Sequence, residues 1–477
     1  MLFNSFDFLL FFPIVTFLFF VLPHKFRWLM LLAASCTFYM FFIWYYIFIL
    51  GITITIDYIS GIWIEKTVNP RKKKLFLTLS IISTSLVLII FKYFNFFITN
   101  VNDIANMIGW NYSISALQLI LPIGLSFHTF QSLSYVIEVY RGKQKAEKNF
   151  GIFSLYVMFY PQLVAGPIER PQNLLHQFHN VHKFKFDDVS IGLKQMLWGF
   201  FMKLVVADRA SIYVNAVYNN SDNHNGSTFI VATLFFAFQI YCDFAGYSNI
   251  AIGSARVMGF KLMQNFDRPY MSKTISEFWK RWHISLSTWF RDYLYISLGG
   301  NRVSSFKRYF NLFITFVVSG FWHGASWTFV IWGGLNGFYL ILGIFKNRFF
   351  EKLNILNKDS AFNKFTSIVT TFVLVCITWV FFRANTTTEA FDIIKKIFSP
   401  SGKVFLPNGP DITAPIYAFF AICLLIAIEI KHEFFDDKFT IFNNKLEVVR
   451  LFAYVSLILF ILMFGVFDGG QFIYFQF

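Results

Sequence analysis

Nine apolar stretches, each long enough to cross a bilayer, alternate along this 477-residue chain with short clusters of lysine and arginine. They lie at about 6–22, 28–64, 75–97, 117–139, 188–207, 227–260, 365–383, 412–430 and 449–467, the second long enough for two passes. Lipid offers no water to a free backbone N–H or C=O, so every crossing segment is predicted to be helical. Composition agrees: 56% of residues are hydrophobic and only 14% charged, against about 25% charged in a soluble domain. An ordinary cytosolic enzyme, a disordered chain, collagen and a coiled coil are all excluded. The reading is an all-α polytopic membrane protein with about ten or eleven transmembrane helices plus re-entrant or broken helices.

The net charge of +15 would suggest nucleic acid in a soluble protein. Here the basic residues sit between apolar runs, where they orient a membrane protein, so no nucleic-acid partner is expected and lipid is the expected surroundings. The basic segments 66–74, 141–148, 261–308 and 346–364 are placed in the cytoplasm, and 98–116 and 210–226 outside. Cys36, Cys242, Cys376 and Cys423 are far apart with no CxxC pair, so neither a disulfide framework nor structural zinc is expected. The first apolar run has no basic residue before it and no A-x-A-like site, which reads as a retained span, not a signal peptide. No repeat or long linker divides the chain. It is read as one multi-span domain over 1–477, with N-terminal helices in 1–116, a core in 117–345 and C-terminal helices in 346–477.

Two apolar stretches fail to fit as simple crossings. Residues 150–167 lie between segments that charge places inside and contain Pro161, Gly166 and Pro167, which predicts a re-entrant segment. Tyr309 to Phe345 is 37 residues bounded by basic segments on both sides. As one helix it would measure about 55 Å against a core of roughly 30 Å. A break is therefore predicted at Ser319, Gly320, Gly324 and Ala325, which places His323 near the turn of a hairpin inside the bilayer.

An ionisable residue at that depth marks a site or a pathway, although a histidine hydrogen-bonded between helices gives the same pattern. Gly320 with Gly324 and Gly333 with Gly337 form GxxxG spacings that close packing alone explains. From Ser276 the segment 267–302 alternates charges with Trp279, Trp282, Trp289, Phe290 and Tyr293, as an interfacial amphipathic helix would. It also holds His283 with Arg281, Arg291 and Asp292 nearby, and the cationic groups among them suit the phosphates of a cytosolic acyl donor, although membrane anchoring alone would account for the segment. Asp243 is a lone acid in an apolar run, either facing a cavity or ion-paired. His176, His179 and His182 recur every third residue without a nearby carboxylate, so a solvated loop is favoured over a metal site. No P-loop, GxGxxG, GxSxG or HExxH occurs. An intramembrane transferase and a secondary transporter remain open.

The blocks FYPQLVAGPIERP (159–171), YCDFAGYSNIAIGSARVMGF (241–260), FWKRWHISLSTWFRDYLYISLGGNR (278–302), SGFWHGASWTFVIWGGLNG (319–337) and GQFIYFQF (470–477) together resemble the membrane-bound O-acyltransferase family. The likeness is to its alginate O-acetyltransferase branch, which is similar to the D-alanyl transfer protein of teichoic acid synthesis. The resemblance implies a helical bundle around a central funnel, with the family's invariant histidine at His323 and its second at His283. It also implies passage of an acyl group from a cytosolic donor, acetyl-CoA or a carrier-protein thioester, to a hydroxyl at or beyond the outer face. No bound cofactor is implied, and acetyl-CoA is a substrate. The acceptor is expected to be an exported polysaccharide, reached through a separate extracytoplasmic transferase of the SGNH type, in the bacterial cytoplasmic membrane. His323 is expected to act as general base and His283 to shape the donor passage. Trp282, Arg291, Asp292, Trp322 and Asp243 are assigned to substrate binding. Asn249 stands where this branch more often has Asp, which removes an ionic role there but leaves a hydrogen bond.

Overall fold

The computed structural model describes residues 1–110, 113–119, 122, 124–164, 166–352, 360–408, 412–435, 444–467 and 472–473. Ala165 and most of the terminal block 470–477 lie outside the described residues. Among those described there are helices and no strands. The chain divides into two compact units, one of residues 1–196 and 248–263, the other of 197–247 and 264–477.

The first unit holds α1 (Phe6–Val21), α2 (His24–Met40), α3 (Tyr46–Lys66), α4 (Pro70–Leu88), α5 (Phe94–Met107), α6 (Leu125–Tyr140), α7 (Phe150–Met158), α8 (Tyr160–Leu163) and α9 (Pro171–Leu174). Two long helices, α10 (Phe186–Phe200) and, after α11 (Asp208–Tyr218), α12 (Gly226–Val257), contribute to both units. The second unit continues with α13 (Ile275–Arg281), α14 (Ile284–Trp289), α15 (Ser305–His323), α16 (Trp327–Lys352), α17 (Ala361–Arg383), α18 (Thr387–Phe398), α19 (Thr413–Phe434) and α20 (Glu447–Phe464).

Among the described residues eight helices are long and apolar enough to cross a membrane, and α1 is a shorter apolar helix. Large apolar side chains such as Phe452 on α20, 74% exposed, point away from the protein, as lipid-facing residues do. Within the run 117–139 the helix among the described residues is α6, from Leu125, and nearly all of it is buried. The 150–167 stretch forms α7 and α8, of 9 and 4 residues. At 1.5 Å per residue neither can cross a core of roughly 30 Å.

Polar groups within the bundle are answered locally. Ser35, Ser134 and Thr315 donate to carbonyls four residues back, the usual refuge of a hydroxyl inside a helix. In the first unit the buried carboxylate of Asp57 accepts hydrogen bonds from Ser80, Thr84 and Ser132, tying α3 to α4 and α6. Sequence analysis did not single out Asp57, although a lone acid in an apolar run is the same signal that flagged Asp243.

The predicted break in 309–345 is present as the turn Gly324–Ser326 between α15 and α16. Ser326 begins α16 by accepting the Thr328 N–H (3.3 Å) on its hydroxyl, an N-cap. Ser319 and Gly320, predicted to break the helix, are inside it. Gly320 instead allows the hairpin to close, since a Cβ there would lie 2.2 Å from the Phe329 carbonyl oxygen, and one at Gly333 would lie 2.2 Å from that of Phe316. Gly320→Ala should therefore destabilise the protein by about 1–3 kcal/mol, the usual cost of overpacking. Gly343→Ala on α16, with nothing within 4 Å, should be neutral or slightly stabilising. Thermal unfolding of both variants in detergent checks the pair.

Candidate functional site

His323 is the last residue of α15 and is 3% exposed. Its ring meets Trp322 at 4.9 Å, Trp332 at 5.1 Å and Phe382 at 5.6 Å. Trp332 stacks on Trp379 (5.8 Å, 19°), which in turn meets Trp282 at 5.1 Å. A continuous series of rings thus runs from His323 to the residue preceding His283. Trp332 and Trp379 were missed in the sequence, where tryptophans in apolar helices give no positional signal.

The segment expected to form one interfacial helix is broken at Trp282–His283. α13 ends at Arg281, and His283 adopts a left-handed backbone (φ 43°, ψ 55°) before α14. A non-glycine residue there stores about 1–3 kcal/mol of strain. The break turns both side chains inward, each 1% exposed. It is held by Arg281, whose guanidinium takes both carboxylate oxygens of Glu433 (2.9 and 2.8 Å) and also Glu277 (2.7 Å). Arg281 is thus engaged structurally and not offered to a ligand. Burial pushes the His283 imidazole well below its ordinary range, to about 3, so the ring is neutral at physiological pH.

A cavity of about 1370 Å³ lies in the second unit among α13, α14, α15, α16 and α17. Lys273, Lys280, Arg291, Arg308 and Lys346 line it, with no aspartate or glutamate among its lining residues. The lining also includes Trp279, Phe316, Thr315, Ser319, Thr370 and Thr371. Neither histidine lines this cavity. Ser319 does, and His323 follows one helical turn later on α15, a rise of about 6 Å. Trp279 in the cavity wall meets Trp332 at 5.7 Å, and Trp332 meets His323. Arg291 is among the residues assigned to substrate binding from the sequence, whereas Lys273, Lys280, Arg308 and Lys346 come from basic segments that served there as topology signals.

The remaining assigned residues divide. Arg291 lines the cavity, with Asp292 paired to it at 2.8 Å. Trp322 packs on His323, and Trp282 is buried in the aromatic series, so both act as packing around the site. Asp243 is ion-paired in this structure, one of the two alternatives the sequence left open. Its Oδ1 pairs with Lys203 at 2.6 Å, and its Oδ2 accepts the Ile473 N–H at 2.6 Å. Lys203 also pairs with Asp208 at 2.8 Å. Lys203 lies in a π-helical stretch, Phe201–Ala207, and Gly246 on α12 lets that stretch approach, since a Cβ there would lie 3.0 Å from the Lys203 nitrogen. As a lone cation in an apolar run, Lys203 was legible as the partner of Asp243 but was not singled out.

In the first unit, Asn249 accepts from Gln195 at 3.1 Å, so the amide supplies the hydrogen bond expected there. His176, His179 and His182 engage three separate partners: the Gln172 carbonyl, Glu147 and the Gln177 carbonyl. They do not converge.

Residues 148–385 match the family model described as MBOAT, membrane-bound O-acyltransferase family. The chain is 39% identical to a probable alginate O-acetylase of Azotobacter vinelandii over 84% of its own length and 78% of the relative's. It is 33% identical to a peptidoglycan O-acetyltransferase of Helicobacter pylori over 78% and 74%. It is 29% identical to a teichoic acid D-alanyltransferase of Bacillus subtilis over 56% and 70%. Multi-span architecture, a basic cavity leading toward a buried histidine and these likenesses agree: the chain belongs to the membrane-bound O-acyltransferase family and is a multi-pass membrane O-acyltransferase.

Proposed function

We propose that this protein transfers an acetyl group from cytosolic acetyl-CoA toward the hydroxyls of an exported or cell-surface polysaccharide, in the cytoplasmic membrane of a bacterium. The observation that carries the reading is the cavity, whose lining holds five cations and no carboxylate and reaches to within one helical turn of His323. The phosphates of CoA suit Lys273, Lys280, Arg291, Arg308 and Lys346, with the thioester arm directed past Trp279 and Ser319. The relatives that are 33% and 39% identical are named for O-acetylation of peptidoglycan and alginate, which supports acetyl over D-alanyl. A carrier-borne D-alanyl thioester is the alternative, since it presents the same pantetheine arm. Family membership leaves no ground for the transporter alternative.

In this proposal the acceptor hydroxyl oxygen attacks the acetyl carbon, the carbon–sulfur bond breaks, and the hydroxyl proton passes to His323 and then to the departing thiolate. Positioned general-base catalysis contributes about 10²–10⁴-fold. A separate extracytoplasmic transferase of the SGNH type is proposed to relay the group to the polymer. His283 lies off the cavity wall, so the donor passage is assigned to the five cations and not to His283.

His323→Ala should lower acetyl transfer at least about 10²-fold while the protein inserts at normal levels, measured with radiolabelled acetyl-CoA and purified protein in vesicles. Wild-type transfer by that variant would end the proposal. Lys280→Ala combined with Arg308→Ala should raise KM for acetyl-CoA about tenfold or more with little change in kcat, because each charge-assisted hydrogen bond contributes about 1.5–3 kcal/mol. S-acetylpantetheine, which lacks the nucleotide phosphates, should be insensitive to the same pair. Equal losses with both donors would remove the cations from the donor site.

A further inference from the structure

We propose that Asn265 is a positioning residue that fixes His283 as the Nδ1–H tautomer, with Nε2 left as the acceptor nitrogen of the ring; this rests on the acyl-transfer reading above. Asn265 is fully buried and its Oδ1 is the common acceptor of three groups. The Ser285 backbone N–H reaches it at 3.3 Å, the Ser285 hydroxyl at 2.9 Å and His283 Nδ1 at 3.1 Å. A backbone N–H can only donate, so the atom facing it is the amide oxygen and not the amide nitrogen. An amide oxygen can only accept, so His283 Nδ1 must carry the hydrogen. The Ser285 hydroxyl, already donating to Asn265, turns a lone pair toward the same Nδ1 at 3.5 Å. In a neutral ring the second nitrogen, Nε2, is then the acceptor.

The backbone around the ring shows the same arrangement. The Ile284 N–H donates to the Asn265 carbonyl at 2.9 Å, and the Asp267 N–H to the Arg281 carbonyl at 2.9 Å, which clamps 265–267 against 281–284. Phe244 meets the His283 ring edge-on at 4.5 Å and Phe266 lies roughly parallel at 6.3 Å. A strained left-handed residue, an amide aimed at one ring nitrogen and two aromatic walls fix both the orientation and the protonation pattern of one imidazole. Packing alone would need only the walls. Burial keeping the ring neutral agrees.

The test is nitrogen NMR of histidine-labelled protein in detergent, with His283→Gln identifying the resonance, together with transfer kinetics. The wild-type ring should be Nδ1–H. Asn265→Ala should move it toward Nε2–H and lower kcat by about 10- to 100-fold, the usual loss when the partner orienting a working histidine is removed, with KM for acetyl-CoA unchanged. Asn265→Asp keeps an acceptor in place and should retain the Nδ1–H form and most of kcat. If Asn265→Ala fails to fold, the wild type and Asn265→Asp decide the matter. An Nε2–H ring in the wild type, or an unchanged tautomer and kcat in Asn265→Ala, overturns the proposal. The tautomer is read without substrate. A chain that shows the expected pattern yet transfers no acetyl group therefore overturns the acetyl-transfer reading and leaves the assignment of Asn265 standing.

Discussion

Lipid cannot hydrogen-bond a broken backbone, and the second unit is organised around that constraint. Its two interruptions, Gly324–Ser326 and Trp282–His283, each free backbone groups that protein must answer. At the first, Ser326 caps the returning helix and Gly320 with Gly333 lets the two arms touch. At the second, Asn265 and Arg281 take up the loose ends, and Glu433 locks Arg281 from α19. Both interruptions carry a histidine. At both, the break leaves the imidazole buried inside the protein.

Aromatic packing then does what charge cannot do at this depth. Trp332, Trp379 and Trp282 form a series of ring contacts from His323 that reaches His283 through Phe266. Lys and Arg side chains line the cavity among α13–α17, with no carboxylate among its lining residues. Buried charged groups elsewhere have partners beside them, as two examples show. Lys203 lies between Asp208 and Asp243, and Asp57 is surrounded by hydroxyls. The separation suits the proposed acetyl-CoA donor, with its phosphates at the cations and its thioester toward the aromatic side.

The legible parts of the site were those where sequence violates a simple rule. A 37-residue apolar run between basic segments cannot cross once as a straight helix, and His323 was found from that conflict. Asp243 stands out as an acid among apolar residues, yet only Lys203, 40 residues earlier in the chain, shows that it is a member of an ion pair. The segment beginning at Ser276 was misread as one amphipathic helix because its periodicity is real on both sides of His283. The interruption depends on Glu433 and Asn265, which are distant or unremarkable in sequence.

The sequence by itself determined the membrane class, the helical architecture, the hairpin at His323 and, through its motif blocks, the family. These follow from local physics: apolar length, basic flanks, glycine and the absence of water in lipid. Only the tertiary structure decided which cations share a cavity, that His283 lies off its wall, and that Asn265 stands against Nδ1 of His283. Those depend on residues brought together across tens to hundreds of positions, such as Lys273 with Lys346 or Arg281 with Glu433. Hydropathy and periodicity describe each helix alone, and hold no information about what stands opposite.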